Sequence, residues 1–317
     1  MRHYVFWAHS PIGYETFLAL KEAGIFNESN STLITAREFF PSEANTCIGL
    51  PEEYLWQSPA EFEVAQEKIV TALKRLQNDN IEYELFVPQT ANFFVRALIE
   101  SPRCQSFVLF DEGSGARGAL FSKRCVDVFY KYQVRPEKSL SGFLAYLAVK
   151  PEVMTDLYRQ GVPFYDVRHP KCAGYISFFE DAFPGETVIR LKKPSFSGTS
   201  ICSKHGLILL PPFHAWAKSI NFTDKFQTFY NSINSIARLN STKKWVLKFH
   251  PHDNEEVQKK ILSSFKFDEF GKFCKTHKIS EFREPAFMGF DTYVSSVNST
   301  VMFLKADRHQ YIALAHQ

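Results

Sequence analysis

At 317 residues the chain is too long for one ordinary hydrophobic core and suits two domains of roughly 150 residues each. Hydrophobic residues at 45% and charged residues at 22% describe a globular protein and exclude a disordered one. A net charge of +3 without any long Lys/Arg run excludes a nucleic-acid-binding stripe, and phenylalanine, at 32 copies, is the compositional outlier.

That aromatic excess serves either buried packing or a sticky surface, and the sequence does not apportion it. Met1 to Trp7 enter an apolar strand without the features of a signal peptide, and no run approaches the roughly 18 apolar residues of a bilayer span. A cytoplasmic protein is therefore expected. Lysine pairs such as Lys192-Lys193, Lys243-Lys244 and Lys259-Lys260 suit peripheral contact with the inner face of an anionic plasma membrane, but also an ordinary solvated face. Six cysteines without a CxxC pair argue against a zinc knuckle or a redox motif and read as core thiols.

In chain order, the first strand is Tyr4 to Ala8, followed by the turn His9-Ser10-Pro11-Ile12-Gly13, a helix near Glu15 to Ala23 and a strand at Thr32 to Thr35. This alternation predicts a parallel sheet covered by helices. Apolar residues at helical spacing, Val64, Ile69, Leu73 and Leu76, predict an amphipathic helix over 62–77. A strand at Ile81 to Pro88, a helix from about Ala91 to Glu100 and a strand at Ser106 to Phe110 follow, the last delivering Asp111-Glu112-Gly113-Ser114 at its carboxyl end. Open α/β sheets bind ligands at that end of their strands. A strand at Gly174 to Phe179 closes this half.

Between Lys192 and His205 the composition shifts to Lys, Pro, Ser, Gly and Thr, which marks 192–205 as a linker between domains at 1–195 and 206–317. The rhythm then restarts with a strand at Gly206 to Leu210, a helix from about Thr223 to Leu239 and a strand at Lys244 to Phe249 that ends in His250-Pro251. No internal sequence repeat accompanies the repeated architecture.

Three short segments carry the chemistry. Asp111 and Glu112 put two carboxylates at a strand-to-loop junction beside Gly113, so one of them suits a general base for a sugar hydroxyl, and a solvated acidic turn is the plain alternative. Pro251 biases His250 toward extended backbone, which aims the imidazole across the sheet edge, where it can hold a phosphate oxygen of a departing nucleotide. His252 and Asp253 are the neighbours that a metal site would use with it, but the further ligands are not identifiable, and a structural histidine is the ordinary use. Ser295-Ser296 and Ser299-Thr300 precede an apolar helical run at Val301 to Leu304, an arrangement that suits phosphate binding and helix capping alike. Acid, histidine and paired hydroxyls in that order suit glycosyl transfer from a nucleotide sugar. The P-loop, the Gly-x-Ser-x-Gly elbow, His-Glu-x-x-His and Asp-x-Asp motifs are all missing, so no obligatory metal or other cofactor is expected.

Strand-Asp-Glu-Gly-Ser, Lys-x-His-Pro and a downstream Ser-Ser resemble the bacterial sialyltransferases of the GT-B fold, in particular the lipooligosaccharide and capsule-type families. The resemblance implies two Rossmann-like domains with a cleft between them and inverting transfer of sialic acid from CMP-sialic acid to a galactose-type hydroxyl of a bacterial surface oligosaccharide or glycolipid. It assigns the base to Glu112, with Asp111 second, and the leaving-group phosphate to His250, Ser295 and Ser296, with Pro251, Gly113 and Ser114 as neighbouring donor-site residues. It also implies a ribose-binding carboxylate, for which Glu281 and Glu284 are the candidates, although their surroundings depart from the family pattern. His9 and Ser10 resemble the family's loop facing the cleft. A CDP-glycerol-type glycerophosphotransferase or other capsule-polymer transferase carries similar His-Pro and Ser-Ser elements, and a non-catalytic glycan-binding or assembly protein is the alternative of a different class.

Overall fold

The structure, a computed structural model, describes residues 2–8, 10–35, 47–49, 67, 71, 81–125, 163–193, 199–210, 222–239, 244–249, 253, 255–264, 267–281, 284–296 and 310–314. Of the helix expected over 62–77, residues 67 and 71 are described and are helical, and the rest of it, the Ser299-Thr300 pair and the apolar run after it, and His9, His250, Pro251 and His252 lie outside the described residues. The chain divides into two compact units, Met1–Lys193 and Pro194–Gln317.

In the first unit, strands β1 (His3–Ala8), β2 (Ser31–Thr35), β3 (Cys47–Gly49), β4 (Tyr83–Val87), β5 (Cys104–Phe110), β6 (Cys172–Ser177) and β7 (Val188–Arg190) form one sheet in the order β3-β2-β1-β4-β5-β6-β7. Every pairing is parallel. Both faces of such a sheet are covered, which is why β1, β4 and β5 read as nearly continuous apolar runs. Val5, Trp7, Leu85, Val87, Phe107 and Leu109 share one core cluster with Phe94, Val95 and Leu98 of helix α2 (Phe93–Glu100). On other positions of the same strands Phe6 stacks on Phe86 at 5.4 Å and on Phe110 at 5.0 Å between ring centroids. Phe17 of helix α1 (Pro11–Glu22) meets Phe6 edge-on. Each such aromatic pair adds about 0.5–1.5 kcal/mol beyond the area it buries. The phenylalanine excess is therefore packing wherever it is described: the exposed large apolar side chains among the described residues are Ile25 and Ile189.

Two caps fix where the helices start. Ser10 accepts from the Gly13 amide, with Pro11 at the first helical position of α1, and Asn92 accepts from the Phe94 and Val95 amides at the head of α2. Helix α3 (Gly118–Cys125) follows the acidic turn. The edge strand β7 was not legible in the sequence, because three residues give too little alternation.

The second unit repeats the plan. Strands β8 (His205–Leu209), β9 (Lys244–Lys248), β10 (Asp268–Glu269), β11 (Thr292–Ser296) and β12 (Gln310–Leu314) run parallel in the order β10-β9-β8-β11-β12. The stretch expected to be a plain linker carries a short helix, α4 (Thr199–Cys202), and β8 begins at His205, one residue earlier than expected. Helix α5 (Phe222–Leu239) buries Phe229 and Ile233 against Ile208, Trp245, Leu247 and Val294. Helices α6 (Glu255–Ser264) and α7 (Phe270–His277) complete the described elements of this unit. A Cβ on Gly206 would stand 2.4 Å from Cζ3 of Trp245, so the absent side chain is what lets the indole lie across β8. Cys104, Cys202 and Cys274 are buried free thiols, and burial pushes them up to about 12, about 11 and about 12. They are inert packing groups at neutral pH.

Candidate functional site

The strand order of each sheet reverses once, between β1 and β4 in the first unit and between β8 and β11 in the second. Ligands of doubly wound sheets bind beyond the carboxyl ends of the strands at such switch points. The acidic turn follows β5, next to the switch-point strand β4, and Ser295-Ser296 end the switch-point strand β11. Two of the three segments singled out in the sequence thus have described residues at a carboxyl sheet edge. Of the third, Lys248 ends β9 at the same edge as the serines.

In the acidic turn the two carboxylates have different surroundings. Asp111 is 2% exposed, and its backbone amide donates to the Ile176 carbonyl at 3.2 Å, carrying the β5–β6 pairing one residue beyond the strand. Its Oδ1 accepts from the Gly113 amide at 2.8 Å. Its Oδ2 accepts from Arg117 Nη2 at 2.6 Å and from the Ser177 hydroxyl at 3.1 Å. Burial pushes the Asp111 carboxyl above its ordinary value, and Arg117, the Gly113 amide and Ser177 pull it back down. The guanidinium and the amide can only donate, so the geometry is that of an ionised carboxylate. Glu112 is half-buried. Gly113 has φ 140°, outside the range of ordinary side chains, and it turns the chain directly after the pair. Ser114 begins the 3₁₀ turn Ser114–Ala116 that leads to Arg117.

Arg117 and Ser177 are the partners that sequence reasoning missed. Arg117 is 6% exposed, donates also to the Gly113 carbonyl and through Nε to Asp181 at 3.1 Å, and has its Cζ over the Phe179 ring, 4.8 Å from the centroid. Lys193 stands over the same ring at 5.7 Å. No local signal marks Ser177, which lies 66 residues from Asp111, whereas Arg117 follows Asp111 by 6 residues. At the switch point itself, Ser10 is engaged as the cap of α1, and the loop after β4 is built of buried polar residues. There Gln89 Oε1 accepts from the Ala91 and Asn92 amides, and Thr90 Oγ1 donates to the Pro163 carbonyl and accepts from the Asp166 amide. The local signal that could have found this loop is Asn92, a capping residue ahead of an apolar run.

In the second unit, Leu209 pairs with Lys248 and Ile208 with Val294, which puts Lys248, Leu209 and Ser295 at one level across β9, β8 and β11. Ser295 is fully buried. Lys248 is half-buried, with Nζ 4.4 Å above the Phe270 ring. Burial pushes its ammonium below the ordinary lysine value, while Glu284, Glu281 and Glu269 pull it back. Glu269 caps α7, accepting from the Gly271 amide at 2.7 Å and the Lys272 amide at 2.8 Å. Glu284 is buried at 6% exposure and Glu281 is exposed, so the two ribose candidates that act on Lys248 stand in different environments. Among the described residues no group of three or more His, Cys, Asp and Glu is gathered as a metal cluster, and no helix is long and apolar enough to cross a membrane.

The sequence matches no protein-family model and no curated protein. Among solved structures, the chain is similar to a sialyltransferase from Photobacterium damsela, at 12% identity and a TM-score of 0.44, over 98% of this chain and 81% of that one. At that distance the likeness carries no argument about activity, which rests on the residues instead.

Proposed function

We propose that the chain is an inverting, metal-independent glycosyltransferase of the GT-B type that moves sialic acid from CMP-sialic acid to a galactose-type hydroxyl of a bacterial surface glycan. The observation that supports this reading is the repeated plan: two parallel, doubly wound sheets, one ending in a carboxylate turn and the other in paired serines, each at the carboxyl edge where such sheets bind ligands.

In this reading Glu112 takes the proton of the acceptor hydroxyl as its oxygen bonds to the anomeric carbon. The bond from that carbon to the CMP oxygen breaks, and its electron pair leaves with the phosphate. His250, Ser295 and Ser296 hold that phosphate, and Glu281 or Glu284 takes the ribose hydroxyls. Asp111 is less suited to the proton transfer, because both its oxygens already accept hydrogen bonds. Contact with the inner face of the plasma membrane belongs to the proposal only as the place where a glycolipid acceptor would be met.

The deciding experiment measures CMP release from CMP-sialic acid by purified protein, with galactose-terminated acceptors and EDTA present. Acceptor-dependent release is the expected outcome. No release from CMP-sialic acid, with turnover of CDP-glycerol, would replace the donor assignment, and failure of every donor would leave a binding protein.

A further inference from the structure

The turn that carries Glu112 is clamped on both sides of one residue, Gly113. The Gly113 amide is bound by Asp111 Oδ1 at 2.8 Å, and the Gly113 carbonyl by Arg117 Nη1. The same guanidinium reaches Asp111 Oδ2 through Nη2 at 2.6 Å and Oδ1 through Nη1 at 3.4 Å. Its third direction, Nε, holds Asp181 at 3.1 Å, and its Cζ stands over the Phe179 ring. The segment beyond β6 is tied back by its own backbone, through the Arg117–Ala182 bridge and the Phe183 amide donating to the Ala116 carbonyl at 2.7 Å. One planar cation therefore joins the acidic turn to the segment after the neighbouring strand.

We propose that Arg117 is the positioning residue of the acidic turn: its guanidinium fixes the 111–113 backbone so that Glu112 meets the acceptor hydroxyl in one geometry. This rests on the reading of Glu112 as the base. Arg117 is 6% exposed and its donors serve protein groups, so it acts through the turn and not on a substrate. A lysine keeps the charge but has no fork, and cannot hold a carboxylate, a carbonyl and a second carboxylate from one rigid plane. Asp111 is the anchor of the clamp, and Ser177 its second tie.

The test is Arg117→Lys in the full chain, alongside Asp181→Asn, which removes one exposed partner and leaves the buried pair in place. Steady-state kinetics with donor and acceptor varied separately are read together with amide hydrogen exchange over 113–117. Misplacing a catalytic group by about 1 Å costs on the order of 10²-fold in rate. Arg117→Lys is expected to lose about 10- to 100-fold in kcat with the donor KM within about twofold, faster exchange at Gly113 to Arg117, and a smaller loss of the same kind in Asp181→Asn. Wild-type kcat in Arg117→Lys, or loss of kcat and donor affinity alike in step with a lowered Tm, would overturn the positioning role. Should the wild-type protein turn over no donor, the base reading fails separately and exchange alone decides: unchanged protection of the turn in Arg117→Lys removes the clamp, whereas faster exchange confined to it supports the clamp.

Discussion

Exchanging each carboxylate of the acidic turn for its amide should give opposite phenotypes. Asp111→Asn keeps the shape of the side chain but leaves the buried guanidinium of Arg117 without its 2.6 Å counter-ion. Removing one partner of a buried pair costs about 3–5 kcal/mol. Burial already holds the Asp111 carboxyl above its ordinary value, so the ionised form carries a standing desolvation cost that the amide escapes. The loss should therefore fall at the lower end, about 3 kcal/mol, which for a unit the size of Met1–Lys193 lowers its melting temperature by roughly 6–12 °C. Glu112→Gln is the milder change, because Glu112 is half-buried and not enclosed, and it should lower the melting temperature by less than Asp111→Asn does. It should nevertheless lose about 10²–10⁴ in turnover, or roughly 2.7–5.4 kcal/mol of transition-state stabilisation. Calorimetric melts and initial rates of acceptor-dependent CMP release, taken well below either transition, separate the two. Near-normal turnover in Glu112→Gln together with an unmoved melt in Asp111→Asn would refute both the base and the anchor.

Two further outcomes follow from packing and charge. Gly206→Ala forces a methyl group to within 2.4 Å of the Trp245 ring and should destabilise the second unit by about 1–3 kcal/mol, read as a lowered transition for that unit alone; an unchanged melt would mean that the indole moves freely. At Glu100, burial raises the carboxyl, but His169 and Arg96 outweigh it and hold it below its ordinary value. A depressed carboxylate contributes stability above its unfolded value, near pH 4.3, and loses it as pH falls through the lower folded value. Glu100→Gln should therefore be less stable than wild type by about 1.5 kcal/mol at pH 7, with the gap closing below about pH 4 in urea titrations, and a gap that persists to pH 3 would count against the pairing.

The sequence by itself determined the buried strands and the place of the acidic turn. A strand covered on both faces must be apolar along its length, as at Leu85-Phe86-Val87 and Phe107 to Phe110. The helix starts were displaced: the helix expected from near Glu15 begins at Pro11, where Ser10 caps it, and the one expected from about Ala91 begins at Phe93 behind Asn92. Short edge strands such as β7 and β10 were beyond it, since two or three residues carry no period. So was the difference in surroundings between Asp111 and Glu112. Two adjacent acids look alike in a sequence, and only the arrival of Ser177 from β6 and of Arg117 from beyond the turn encloses one of them and leaves the other half-buried. Strand order, which put Ser295-Ser296 beside a switch point, was likewise decided in three dimensions. Local periodicity reports how much of each element is buried, but which element buries it depends on contacts between residues far apart in the chain, and these leave no local pattern to read.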